Sequence, residues 1–360
     1  MDYYNLKNST IIIPTYKRYP YLVRLLKFYE SYKLNIKILV LDSTPNDLLN
    51  EELTRLLSNK NIVWKKFDAA ITFWEKISKG IEFIETEYVT LCADDDFIIP
   101  GAIVECIKFL EINSDYASAH GLYFNHLNDK NFRRSKFRMN PLYNHGRLSD
   151  EKTGVERVQA YFNGKTDYYP FYAVHRTSTF KLIWTETKQY VSAWGLGEVF
   201  PCSLSFAYGK MMILQVFYAS REPNNYNWID EKIHTEIYSE ERIERAVIGL
   251  GKHLSIVDNL LLEEAELVAR KAFEVHLDKA NNKQFKKKAN HNIFLLWMRI
   301  KHKLRIRTRM ISLIRYLRYQ GCHPDIYPEY FKDFMKVKKA VLTARLSFDE
   351  LNIARRDQKN

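Results

Sequence analysis

VTLCADDDFIIPG, residues 89–101, carries an apolar, β-prone run into three consecutive aspartates and straight back into apolar residues. Adjacent like charges repel, and a carboxylate beside an apolar core is costly unless something cationic meets it. A strand that ends in Asp94, Asp95 and Asp96 therefore reads as the edge of a site that takes a cation. The residues on either side decide which fold presents it.

Upstream, β-branched runs alternate with amphipathic segments. TIIIP (10–14), IKILVLD (36–42), NIVWKKF (61–67) and YVTLCA (88–93) read as strands. Three helices are expected between them: residues 19–33 with Leu22, Leu25, Leu26 and Tyr29 on one face, residues 46–57 capped by Asn46, and residues 71–85. Downstream, PGAIVECIKFLEI opens a helix with Pro100 in its first turn, and YASAHGLYF (116–124) is the next strand. Residues 127–149 read as a basic irregular loop, followed by a helix capped by Ser149, a strand at 171–177, a helix near 198–209 and a strand at 211–220. Strands separated by helices predict βαβ units, hence an α/β fold with a mainly parallel sheet flanked by helices. The turn-rich REPNNYN (221–227) predicts a boundary between an α/β domain over 1–225 and a helical region over 226–360.

With 360 residues, 46% of them hydrophobic, the chain can bury a substantial core. Its longest apolar run, IFLLWM (293–298), is far short of the roughly 18 residues a membrane span needs, and MDYYNLKNST lacks the features of a secretory signal. Cys92, Cys106, Cys202 and Cys322 are scattered, which argues against zinc and fits a reducing cytoplasm. The net charge of +12 is local: residues 281–320 hold twelve Lys and Arg and no acid, which leaves 43 basic against 43 acidic residues elsewhere.

In open α/β sheets, ligands sit beyond the carboxyl ends of the strands. Three segments place polar groups there: Pro14 to Arg18, Asp42-Ser43-Thr44 and Asp94-Asp95-Asp96. No glycine precedes Gly80, so GxGxxG and Walker A loops are absent from the first turns. A nucleotide site without a glycine loop can hold its diphosphate through a divalent cation. Asp94 and Asp96 are two apart, so an extended segment turns both carboxylates to one side, where they share Mg²⁺ or Mn²⁺.

IIIPTYKR, LVLDS and CADDD, in this order after successive strands, resemble the N-terminal half of the GT-A fold glycosyltransferases, particularly the family 2 type. The resemblance implies a nucleotide-sugar donor, with Thr15 and Tyr16 lining the nucleotide pocket between Pro14 and Arg18. It also implies that Asp42, beside Ser43, holds the base or ribose, and that Asp94 and Asp96 form the D-x-D pair for metal and diphosphate, with Asp95 between them at the nucleotide. The approach ISKGIEFIETEYVTLCADDD resembles the family's helix leading to that motif and makes Lys79 a phosphate contact. More weakly, WGLGEVFPCSLSFAYGK (194–210) resembles the helix whose first turn carries the general base, which falls on Glu198 and implies inversion at the anomeric carbon. Two departures stand out: the family's VDDGS is VLDST here, and its Glu-Asp pair is Glu198-Val199.

Each residue also has a plainer reading. Asp94 to Asp96 make a solvated acidic turn, Asp42-Ser43-Thr44 an ordinary turn, Lys17, Arg18 and Lys79 surface charges, and Glu198 a helix-start acid. Tyr168, Tyr169, Phe171 and Tyr172 form an acceptor-sugar platform or pack the core. In the basic segment, Ile293, Leu296, Trp297, Ile300 and Leu304 recur at helical spacing among Lys and Arg. That pattern suits an anionic membrane surface, placing the protein peripherally on the inner face of the cell membrane with a glycan or lipid-linked acceptor. No pattern for specific nucleic-acid binding is present. The rival readings are a non-catalytic basic binding protein on an α/β scaffold and a retaining GT-A transferase.

Overall fold

The computed structural model describes residues 4–45, 49–129, 136–142, 150–164, 170–192, 194–222, 238–279, 322–323 and 328–343. Strands β1 (Ser9–Thr15), β2 (Lys37–Asp42), β3 (Ile62–Lys66) and β4 (Tyr88–Leu91) are all parallel and lie in the order β3-β2-β1-β4. Helices α1 (Tyr19–Glu30), α2 (Glu51–Leu57) and α3 (Phe73–Gly80) connect them in sequence. A strand covered on both faces needs apolar residues at odd and even positions alike. Ile11, Ile13, Ile38 and Val40 accordingly enter one core with α1, while Ile12, Leu39, Leu41, Val89 and Leu91 enter a second core with α3. A Cβ on Gly80 would collide with the Leu41 side chain, so α3 lies hard against β2.

The register matters most at the carboxyl ends, where Thr15 pairs with Asp42 and Asp42 with Lys66 in one row. β1 pairs with β4 only as far as Ile12 with Leu91, and Cys92 N–H donates to Ile12 O at 2.8 Å. Beyond that point β4 leaves the sheet while β1 continues through Pro14, whose missing N–H costs nothing once the neighbour is gone. A crevice opens between the two strands at the place where the strand order reverses.

Beyond β4 the sheet becomes mixed. β5 (Phe97–Ile98), β6 (Tyr116–Asp129), β7 (Lys136–Pro141), β8 (Val174–Arg176) and β9 (Lys210–Arg221) extend it in the order β4-β8-β6-β9-β5, with β7 on β6. β8 is antiparallel to β4 and β6, whereas β9 is parallel to β6. The parallel arrangement that the alternation predicted thus belongs to the first four strands and to the β6-β9 pair. Part of the expected 127–149 loop is instead a hairpin, because Phe137 and Met139 alternate inward and give β7 a buried side.

Helices α4 (Pro100–Ile112), α5 (Gly154–Asn163), α6 (Thr177–Tyr190) and α7 (Trp194–Tyr208) complete the α/β unit. α6, which the strand reading of 171–177 ran into, buries Phe180, Ile183, Trp184 and Thr187 at helical spacing. Two expected caps shift: Asn50 caps α2 through Leu53 N, and Thr153 caps α5 in a box with Glu156, while Asn46 and Ser149 lie outside the described residues.

The regular structure described after Glu222 is helical: α8 (Glu240–Asp258), α9 (262–279) and α10 (Phe331–Thr343). Asp258 at the end of α8 accepts from Gly154 N and Val155 N at 2.9 and 2.6 Å, closing the start of α5. His253 of α8 bridges Tyr208 and Glu186, and Tyr32 donates to Asp333 of α10 at 2.7 Å. The expected boundary at 225 and the basic segment 281–320 fall outside the described residues.

Candidate active site

The crevice is built from three strand exits. At the first, Lys17 adopts a left-handed conformation (φ 54°) and donates its N–H to Thr44 Oγ1 at 2.9 Å, which turns the chain sharply after Thr15 and Tyr16. Arg18 is thereby brought back over the crevice. At the second, Asp42 is fully buried and accepts from Thr44 N (2.8 Å), Tyr19 Oη (2.7 Å) and Lys66 Nζ (3.1 Å). Burial and the Asp42 hydrogen bond raise the Tyr19 phenol above its ordinary value.

The third exit holds the aspartates, each at most 5% exposed. Asp96 N–H donates to Ala93 O at 3.1 Å, so the segment is a turn and not the extended strand expected from its sequence. Asp94 and Asp96 consequently diverge. Asp94 accepts from Thr15 Oγ1 at 2.8 Å and meets Arg18 Nε at 3.3 Å; Asp95 meets the same guanidinium at 2.5 Å. Asp96 turns to β9, accepting from Arg221 Nε at 2.8 Å and Glu222 N at 2.9 Å. Arg24 completes the frame, donating to Asp95 O at 2.8 Å and to Glu222 Oε2 at 2.7 Å. Burial pushes both Asp94 and Asp96 above the ordinary carboxylate range, and Asp95 adds to the effect. Burial works against the Arg18 charge, yet Asp94 and Asp95 hold its pKa above the usual arginine value.

Lys76 is the residue the sequence reading passed over. It is one of the buried residues of α3, with Trp74, Ile77 and Gly80, where an apolar side chain is the rule. Its Nζ donates to Thr15 O at 3.0 Å and Ser43 Oγ at 2.8 Å, tying the first two exits together. Burial lowers its pKa to about 8 against the opposing pull of Asp94 and Asp42. Lys79, one turn later, is on the exposed face beside Glu75, away from the cluster. A lysine at a core position of an amphipathic helix was the available signal. Arg221 and Glu222 were similarly read as a domain boundary, although a charged pair closing a buried strand marks the site.

A divalent cation can be tested against this arrangement. The available donors are all hard carboxylate oxygens, and both raised carboxyls gain from added positive charge. The Arg18 guanidinium already bridges Asp94 and Asp95 as a cation would. Among the described residues no three His, Cys, Asp or Glu side chains converge as a metal cage. Asp94 and Asp96 are turned to different arginines, so of what a hard cation needs the described residues present only the donor chemistry, carboxylate oxygen.

Glu198 lies early in α7, exposed to solvent. A Cβ on Gly197 would approach Trp74 within 2.8 Å, so this end of α7 is seated directly on the helix that carries Lys76. The link to the aspartates is Tyr172, over whose ring Arg221 stacks at 5.0 Å. Burial raises the Tyr172 phenol well above its ordinary value; Asp96, Glu198 and Asp95 act the same way and Arg221 opposes them. Phe171 is core, against Phe73 and Trp184, and Tyr168 and Tyr169 lie outside the described residues.

The family model for glycosyl transferase family 2 matches residues 10–182, which span all three strand exits. Residues 10–182 thus carry the pattern of a family 2 glycosyltransferase domain. Among solved structures, this chain is similar to S. aureus TarS, with 14% identity and a TM-score of 0.41 over 75% of this chain and 53% of that one. It therefore spans about half the length of that protein. S. aureus TarS 1–349 in complex with UDP is similar at 13% identity and a TM-score of 0.47, covering 75% of this chain and 72% of that one. The complex of the same fragment with UDP-GlcNAc is similar at 13% identity and a TM-score of 0.42, covering 76% and 92%. No protein of curated function matches the sequence.

Proposed function

We propose that this glycosyltransferase transfers a sugar from a nucleoside-diphosphate donor to an acceptor hydroxyl with inversion, in the assembly of a bacterial surface glycan. The observation that carries the reading is the row of Thr15, Asp42 and Lys66 at the strand ends, with the Asp94–Asp96 turn across the crevice from it. Asp42, an acceptor held by three donors, receives the base or ribose of the nucleoside. Asp94 and Asp96 would hold a divalent cation with the diphosphate, and that cation would neutralise charge developing on the leaving group. Thr15 and Arg18 hold Asp94 and Asp95 in place, and Arg221 and the Glu222 amide hold Asp96, so the cluster is oriented before the donor arrives.

Glu198 takes the proton of the acceptor hydroxyl. The acceptor oxygen bonds to the anomeric carbon as its bond to phosphate breaks, the electron pair leaves on the nucleoside diphosphate, and the proton ends on the Glu198 carboxylate. Attack opposite the leaving group inverts the anomeric centre. The twelve basic residues of 281–320 bring the enzyme to an anionic membrane surface, where a lipid-linked acceptor is presented; among the described residues no helix is long and apolar enough to cross a membrane.

Thermal stabilisation across a panel of nucleoside diphosphates, each with and without Mn²⁺, tests the donor site. One nucleotide giving a metal-dependent shift that Asp94→Asn with Asp96→Asn abolishes is the expected result, and no shift with any nucleotide overturns it. NMR of the product reads the anomeric outcome, and flotation with anionic liposomes reads the membrane arm.

A further inference from the structure

We propose that Lys76 is a donor-binding residue, giving its third N–H to the phosphates of the nucleoside diphosphate. This inference deepens the donor-site reading above and rests on it. An ammonium has three protons to donate, and among the described residues two acceptors are hydrogen-bonded to it, Thr15 O and Ser43 Oγ. Both belong to strand exits, so the nitrogen sits at the floor of the crevice, on the β1-β2 side, with Asp42 and Asp94 as its charged neighbours. A lysine held only to bind two neutral oxygens is poorly explained, because a neutral side chain would do so without taking a charge out of water. The position is 4% exposed, and the other buried residues of its helix are Trp74, Ile77 and Gly80. A diphosphate across the exits offers the third N–H an anionic acceptor. It arrives between the residue that takes the nucleoside and the residues that take the leaving group.

The charges facing Lys76 from the packed elements are few. Asp42 and Asp94 come from the exits of β2 and β4, with Lys66 of β3 and Arg18 on those same carboxylates. α6 brings Lys188 toward Glu75 on the outer side of α3, and α7 brings Glu198. An amine so placed loses its charge only a little above neutral pH, when its hold on phosphate must weaken.

The test is equilibrium binding of UDP and GDP, each against its own nucleoside, to the full chain in excess Mg²⁺. Lys76→Met is expected to weaken the preferred diphosphate about 10- to 100-fold and its nucleoside less than about twofold. Lys79→Met, on the exposed face, is expected to change neither. In the unmodified protein, which needs no variant to fold, the affinity ratio of diphosphate to nucleoside should fall about fivefold between pH 7.0 and 8.8, and taking this ratio cancels titration of the base itself. Equal losses of diphosphate and nucleoside in Lys76→Met, an unchanged diphosphate affinity, or a flat ratio in the unmodified protein each overturn the role of Lys76 while leaving the donor site standing. If the unmodified protein binds neither diphosphate, the donor-site reading falls and this inference with it.

Discussion

The two sides of the crevice are built differently. On the donor side every carboxylate is met by groups from other elements: Asp42 by Tyr19, Thr44 and Lys66, Asp94 by Thr15 and Arg18, Asp96 by Arg221 and the Glu222 amide. On the proposed acceptor side Glu198 stands exposed near the start of one helix, and Tyr172 feels both its charge and that of the aspartates. The contrast teaches where binding and chemistry divide. Strand ends fixed by a two-sided core can hold a charged ligand with little reorganisation, whereas the base proposed at Glu198 would need the room for an acceptor that its exposure leaves.

The sharpest way to break this comparison is to unload the donor side. Asp94→Asn with Asp96→Asn should lower kcat/KM by about 10³-fold or more, read by release of nucleoside diphosphate. A loss under tenfold would mean that the arginines, not the carboxylates, carry the diphosphate. On the acceptor side, Glu198→Gln should lower kcat by about 10²- to 10⁴-fold and leave the donor KM within about twofold. Near-normal turnover would move the base elsewhere. Asp42→Ala should raise the donor KM about 10- to 100-fold with kcat changed far less, the reverse of the Glu198 pattern.

Stability should show the same asymmetry at smaller amplitude. Lys76 is charged below about 8 when folded and below 10.5 when unfolded, so between those values the unfolded chain binds more protons and stability rises with pH. The buried Asp94 and Asp96 are raised above 3.8, so stability falls as pH climbs from about 4 to about 6. This side is thus most costly to fold between about pH 6 and 8. Lys76→Met, relieved of a desolvated charge that costs on the order of 3 kcal/mol, should melt about 2–4 °C higher at pH 7, with the gap closing above pH 10. A lower melting point at pH 7 would show that its bonds to Thr15 and Ser43 outweigh the desolvation. Smallest of all, Lys79→Ala should change kcat/KM by less than about twofold.

Four parallel strands, their connecting helices and the placement of Thr15, Asp42 and Asp94 at strand ends were legible in the sequence, because hydrophobic period and chain order are local properties. The β6-β7 hairpin was not, since Lys136, Arg138 and Asn140 obscure the inward alternation of Phe137 and Met139. The partners of the aspartates were also hidden. Asp94 meets Arg18 across 76 residues and Asp96 meets Arg221 across 125, and no periodicity couples such positions.

By itself the sequence determined that three consecutive carboxylates end a buried strand beside two other polar strand exits, since β-branched runs punctuated by helices admit few other folds. Only the tertiary structure decided how that charge is met. A turn at Ala93–Asp96 sends Asp94 and Asp96 to different guanidinium groups, and helix α3 delivers Lys76 instead of Lys79, because the face of a helix that packs on a sheet is set by contact with Leu41 and its neighbours and not by the order of its residues.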